Sequence, residues 1–124
     1  MKIPAGISRE DAESRRRWEM GSYIIGISGS PRKANTEYLV SEALAAAGDM
    51  AGTRTRLISL ADHDLRPCES CLQCMGHVKG STESHICCNH GDADPIIREM
   101  MIADGIIMGT PVYTWNVSGR LKCL

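Results

Sequence analysis

Phenylalanine is absent from this 124-residue chain, and aromatic residues make up only 4% of it. A hydrophobic core must therefore be built from Ile, Leu, Val, Met and Ala. Neither sign of charge is in excess: 14 basic and 15 acidic residues leave a formal net charge of -1. That balance argues against a general nucleic-acid or membrane-surface binder. No apolar run approaches the roughly 18 residues that a membrane-crossing helix needs. The opening "MKIPAGISREDAESRRRWEM" has no apolar core of the kind a secretory signal carries. A cytoplasmic location, with no membrane or nucleic-acid partner, is the expectation.

What is present suits one soluble domain, with 43% hydrophobic and 23% charged residues. Residues 1–21 read as an extension. Ser8 with Asp11 gives a weakened capping-box start for a short helix, and Arg15, Arg16 and Arg17 sit among acidic residues as a solvated face. Tyr23 to Ile27 is nearly continuous apolar, a strand buried on both faces. Leu39, Val40, Ala43, Leu44 and Ala47 then fall at helical spacing, with Gly48 as a stop. "TRTRLISL", Thr53 to Leu60, alternates and predicts a second strand with one polar face, at a sheet edge. A long aperiodic stretch follows. Asp92 or Asp94 then caps a second helix, with Pro95 at its first position and Ile96, Ile97, Met100 and Met101 as its apolar face. "GIIMG", Gly105 to Gly109, predicts a third short buried strand, and "VSGRLKCL" opens a third helix. This alternation argues for an α/β fold with a parallel sheet and right-handed crossovers.

Between the first strand and the first helix lies "GISGSPRKANTEYL", Gly26 to Leu39. Anion binding needs converging backbone N–H groups, hydroxyl donors and the positive end of a helix. Ser28, Ser30 and Thr36 supply hydroxyls, Gly29 allows close backbone approach, and Asn35 or Thr36 is placed to cap the helix. Arg32 and Lys33 add charge. The loop contains neither G-x-G-x-x-G nor G-K-[ST], so it is neither a dinucleotide fingerprint nor a Walker loop. After the third strand comes "TPVYTWN", in which Tyr113 or Trp115 offers an aromatic face.

The aperiodic stretch holds Cys68, Cys71, Cys74, Cys87 and Cys88. Three cysteines at x2 spacing suit three thiolates around one [4Fe–4S] cube, with a fourth ligand from further along the chain. Cys87, with its shorter reach, is preferred to Cys88. A zinc site drawing on His77, His85 or His90 is an alternative. So is a lid that holds no metal. Cys123 stands apart, as a helix residue facing the core.

"SGSPRKANT" followed by "YLV", the cysteine-rich insert and then "ADGIIMGTPVYTWNVSGRLK" resemble the flavodoxin-like NAD(P)H-dependent FMN reductases, and among them the iron–sulfur flavoproteins. The matching motifs cover most of residues 22–122. The resemblance implies a flavodoxin-like three-layer α/β/α parallel sheet and FMN as cofactor. The FMN phosphate would meet Ser28, Ser30, Arg32, Asn35 and Thr36. The isoalloxazine ring would border Pro111, Val112, Tyr113, Thr114, Trp115 and Asn116. Cys68, Cys71, Cys74 and Cys87 would hold a cluster that exchanges electrons with FMN, although positions 75–86 make a longer gap than the family pattern has.

Residues 22–124 thus predict a partial FMN-binding domain, its cysteine insert at 66–91, with the sheet truncated after the third strand. The expectation is a fragment whose own FMN affinity is weak and whose full-length form is a homo-oligomer. Its function would be that of an FMN-dependent oxidoreductase or electron-transfer iron–sulfur flavoprotein. A small molecule or protein, NAD(P)H among them, would exchange electrons with it. The alternatives are an NAD(P)H-dependent FMN, quinone or nitro-compound reductase without a cluster, a metal- or redox-sensing module, and a non-functional fragment.

Overall fold

The computed structural model describes residues 21–70 and 91–124. The short N-terminal helix suggested by Ser8 and Asp11 lies outside them, as do Cys71, Cys74, Cys87, Cys88 and the three histidines named as alternative ligands. The elements run β1 (Tyr23–Ser28), α1 (Asn35–Gly48), β2 (Arg54–Ser59), a 3-10 turn (Leu60–Asp62), α2 (Ala93–Ile102), β3 (Gly105–Gly109) and α3 (Gly119–Lys122). The sheet is parallel, in the order β2-β1-β3. Gly26 sits opposite Leu57 on one side and Ile107 on the other.

Side chains alternate across the sheet. Gly26, Ser28, Ser59 and Gly109 face α1, which lays Val40 and Leu44 on them, both buried. The seam has no room for a side chain on β1: a Cβ at Gly26 would fall 2.5 Å from Leu44 Cδ1 and 2.6 Å from Val40 Cγ1. On the opposite face Ile25, Ile27 and Ile58 join Leu60 and Ile96 in the main core, with Tyr23, Leu65, Met100 and Leu121 packed around it.

Several expectations change at this level. Leu39 is 66% exposed and Ala43 is also exposed. The helix meets the sheet along the four-residue step Thr36–Val40–Leu44, and positions 39 and 43 lie about 100° around from it. Met101 leaves the apolar face of α2 for solvent in the same way. β3 is less buried than its composition implies, because Ile106 and Met108 are 39% and 50% exposed. α2 packs its Ile96 on Ile25, Ile27 and Ile58, on the β1–β2 side of the sheet, away from β3.

The helix starts also shift. Ala34, not Asn35 or Thr36, occupies the N-cap of α1 and provides no side-chain cap. Asp92 occupies the N-cap of α2, but its carboxylate accepts from Asp64 N at 2.7 Å instead of capping. Pro95 falls at the third helical position, where its missing N–H costs nothing because the first-turn donors have no helical partner. Cys123 follows the last turn of α3 and is half-buried.

Candidate functional site

Both candidate loops leave the same edge of the sheet, one from β1 and one from β3. Since β2 and β3 flank β1 on opposite sides, the chain reverses its direction of winding at β1. Ligands of open α/β sheets collect beyond the carboxyl ends of the strands at such a point.

The first loop starts from Ser28, which is fully buried. Its Oγ has no hydrogen-bond partner. Buried hydroxyls are normally paired, so this one is a donor in waiting, beside the start of α1. Ser30 is also buried, and its Oγ accepts from Arg32 N at 3.1 Å. Ala34 cannot cap α1, so the first-turn N–H groups at Asn35, Thr36 and Glu37 lack an intrahelical acceptor. They carry the partial positive charge of a 14-residue helix.

Glu37 would oppose an anion there. Its carboxylate is instead held toward β2, accepting from Ser59 Oγ. Arg32 and Asn35 are exposed, and Thr36 is half-buried. Lys33 is diverted: Nζ pairs with Asp62 Oδ2 at 2.8 Å, and that hydrogen bond and charge hold the ammonium pKa above its ordinary value. A buried unpaired hydroxyl, an uncapped helix start and an exposed guanidinium form a donor set that fits a phosphate monoester such as that of FMN.

The second loop is a tight reversal. Tyr113 N donates to Asn116 O at 2.8 Å, and Asn116 N returns a bond to Tyr113 O at 3.0 Å. Thr114 and Trp115 take φ values of 50 and 62, the left-handed pair that a type I′ turn requires. The turn presents Trp115 98% exposed, beside exposed Val112 and Tyr113, while Pro111 is half-buried. The aromatic surface is therefore displayed to solvent and is not packed in the core.

The loops are joined by contacts that sequence reading missed. Gly29 N donates to Gly109 O at 2.7 Å, and Ser118 Oγ donates to Gly29 O at 2.5 Å. Gly29 eases this approach, since a Cβ there would lie 3.1 Å from Leu121 Cβ and 3.3 Å from Ser118 Oγ, tight enough that α3 would have to give by a few tenths of an ångström. Its small size serves the packing of α3. The position of Ser118 before a helix start could have marked it as an N-cap; nothing local marks the Ser59–Glu37 bond.

Cys68 is exposed, and Ser70 N donates to its sulfur at 3.4 Å. The other proposed cluster cysteines lie outside the described residues, and among the described ones no group of three metal-ligating side chains converges. The cysteine segment has a defined base. Asp92 N donates to Asp64 O at 3.0 Å and Asp64 N donates to the Asp92 carboxylate, so the chain leaves and returns at one clasp. Arg120 of α3 anchors the approach to it, donating to Leu60 O at 2.8 Å and His63 O at 3.0 Å.

Fold and loops together define a flavodoxin-like α/β protein whose candidate anion-binding loop leaves β1 at the β1/β3 switch point. Comparison with known proteins gives the family: residues 22–124 match the NADPH-dependent FMN reductase family, and the chain belongs to it. Among curated relatives, an iron–sulfur flavoprotein of Methanocaldococcus jannaschii is 47% identical over 102 residues, covering 82% of this chain and 49% of the relative. Another, from Methanosarcina thermophila, is 36% identical with the same coverage. The sequence therefore groups with the iron–sulfur flavoproteins of the family. The chain spans about half the length of the curated relatives it matches. A crystal structure of an NADH:FMN oxidoreductase in its apo form superposes with a TM-score of 0.56 at 25% identity, covering 82% of this chain and 47% of that one. Among the described residues no helix is long and apolar enough to cross a membrane.

Proposed function

We propose that this chain builds the FMN-binding core of an iron–sulfur flavoprotein that passes electrons between a reduced donor and an acceptor. The observation that carries the reading is Ser28, whose buried hydroxyl lacks a partner beside an uncapped helix N-terminus. In this reading Ser28, Ser30, Thr36 and the first-turn amides of α1 hold the phosphate, and Arg32 balances its charge. The β3 loop, from Pro111 to Asn116, borders the ring and shields one side of it from water. The chemistry supplied by bound FMN is transfer of two electrons as hydride or of one at a time. No side-chain acid or base is assigned, and the named residues bind and orient.

Cys68, Cys71, Cys74 and Cys87 are proposed as ligands of a [4Fe–4S] cluster, supported by their spacing and by the names of the relatives. Anaerobic purification followed by an absorption spectrum and iron analysis tests both parts. A flavin spectrum with about four irons per chain is expected. Protein with neither flavin nor iron, and no uptake of either on reconstitution, refutes the proposal. Flavin without iron favours the second reading, a cluster-free NAD(P)H-dependent reductase, which the long interval between Cys74 and Cys87 supports.

A further inference from the structure

We propose that Ser118 is a positioning residue for the phosphate site: it aims a backbone donor of the first loop although it belongs to the second. The inference rests on the FMN reading above and adds a residue to it. Ser118 is 1% exposed, and besides the helical bond from Lys122 N to its carbonyl at 3.3 Å it makes three hydrogen bonds. Its N–H donates to Thr110 Oγ1 at 3.0 Å, its Oγ accepts from Leu121 N at 3.2 Å, and its one hydroxyl proton goes to Gly29 O at 2.5 Å. The hydroxyl rotor is thereby locked.

Gly29 is held at its other end too, by donation of its N–H to Gly109 O at 2.7 Å. The peptide joining Gly29 to Ser30 is trans, so its C=O and N–H point in opposite directions. With the carbonyl drawn to Ser118, the Ser30 N–H points away from α3, and no described residue accepts from it. Capping alone does not explain the arrangement. An N-cap needs an acceptor for Leu121 N, whereas the bond to Gly29 uses the proton. Ser118 thus sets the direction of an amide at the phosphate loop without touching the phosphate.

The test titrates the full 124-residue chain with FMN and with riboflavin, which lacks the phosphate, following flavin fluorescence. The wild-type chain is expected to prefer FMN. Ser118→Ala is expected to lower FMN affinity about tenfold, the effect of misdirecting one donor to a charged group, while riboflavin affinity is unchanged. Ser118→Thr, which keeps the hydroxyl, restores the preference. An unaltered FMN-to-riboflavin ratio in Ser118→Ala, or equal loss of both, overturns the inference alone. Absence of any FMN preference in the wild-type chain overturns the phosphate reading and the inference with it. If Ser118→Ala does not fold, Thr110→Val, which removes the acceptor for Ser118 N–H, is held to the same outcomes.

Discussion

Replacing the largest exposed side chain of the second loop with none at all is expected to stabilise the protein. Trp115 has φ 62 and is 98% exposed, so its ring contributes little burial and its backbone carries the cost of the left-handed region. For a residue with a Cβ that cost is about 1–2 kcal/mol. Glycine avoids it but loses about 0.4–1 kcal/mol through its freer unfolded chain. Trp115→Gly should therefore gain about 1 kcal/mol. For a chain of 124 residues this raises the melting temperature by about 4 °C. Trp115→Ala removes the same ring and keeps the strain, so it should melt close to wild type. Thermal unfolding followed by circular dichroism separates the two. If the Gly and Ala variants melt alike, the strain attributed to the turn is not there; if both melt well below wild type, Trp115 is packed and not displayed. Relief of the strain should also weaken flavin binding if the rigid turn is what presents the ring-facing surface.

Two further outcomes follow from contacts outside the loops. Arg120→Met should cost about 2–3 kcal/mol, because it leaves the Leu60 and His63 carbonyls without their charged donor. Hydrogen exchange should show Asp64 N, at the base of the cysteine segment, losing protection before the strands do. The Tyr23 phenol is held above its ordinary pKa of 10.0, first by its hydrogen bond to Glu99 at 2.5 Å and then by burial. Such a group favours the folded state below the unfolded pKa, and that contribution disappears as pH rises through the folded value. Stability should thus fall above about pH 10 with a slope that Tyr23→Phe removes, measured by urea unfolding across the alkaline range.

The strands were legible because their signals are local. Tyr23 to Ile27 is apolar enough to read as a strand without knowing its neighbours, and β2 takes the edge position read from Thr53 to Leu60, although its exposure runs along its first four residues and does not alternate by face. The faces of the helices were less so. Leu39 and Val40 are equally apolar, and only the groove formed by Gly26 and Gly109 determines that Val40 is the one buried. The same limit applies to the loops. Ser28 and Ser30 both look like phosphate ligands in sequence, but only packing leaves one hydroxyl without a partner and gives the other a backbone donor. Lys33 reads as phosphate charge until Asp62 of the 3-10 turn is brought against it.

By itself the sequence determined the order of elements, the parallel α/β class, the two loops and the cysteine spacing. Each is written in residues close together along the chain, through periodicity, turn chemistry and ligand interval. Tertiary structure alone decided how those pieces meet. Ser118 and Gly29 are 89 positions apart, and Tyr23 and Glu99 are 76 apart. Their contacts depend on strand register and on which face each helix covers, since a hydrogen bond requires a position in space that no local pattern encodes.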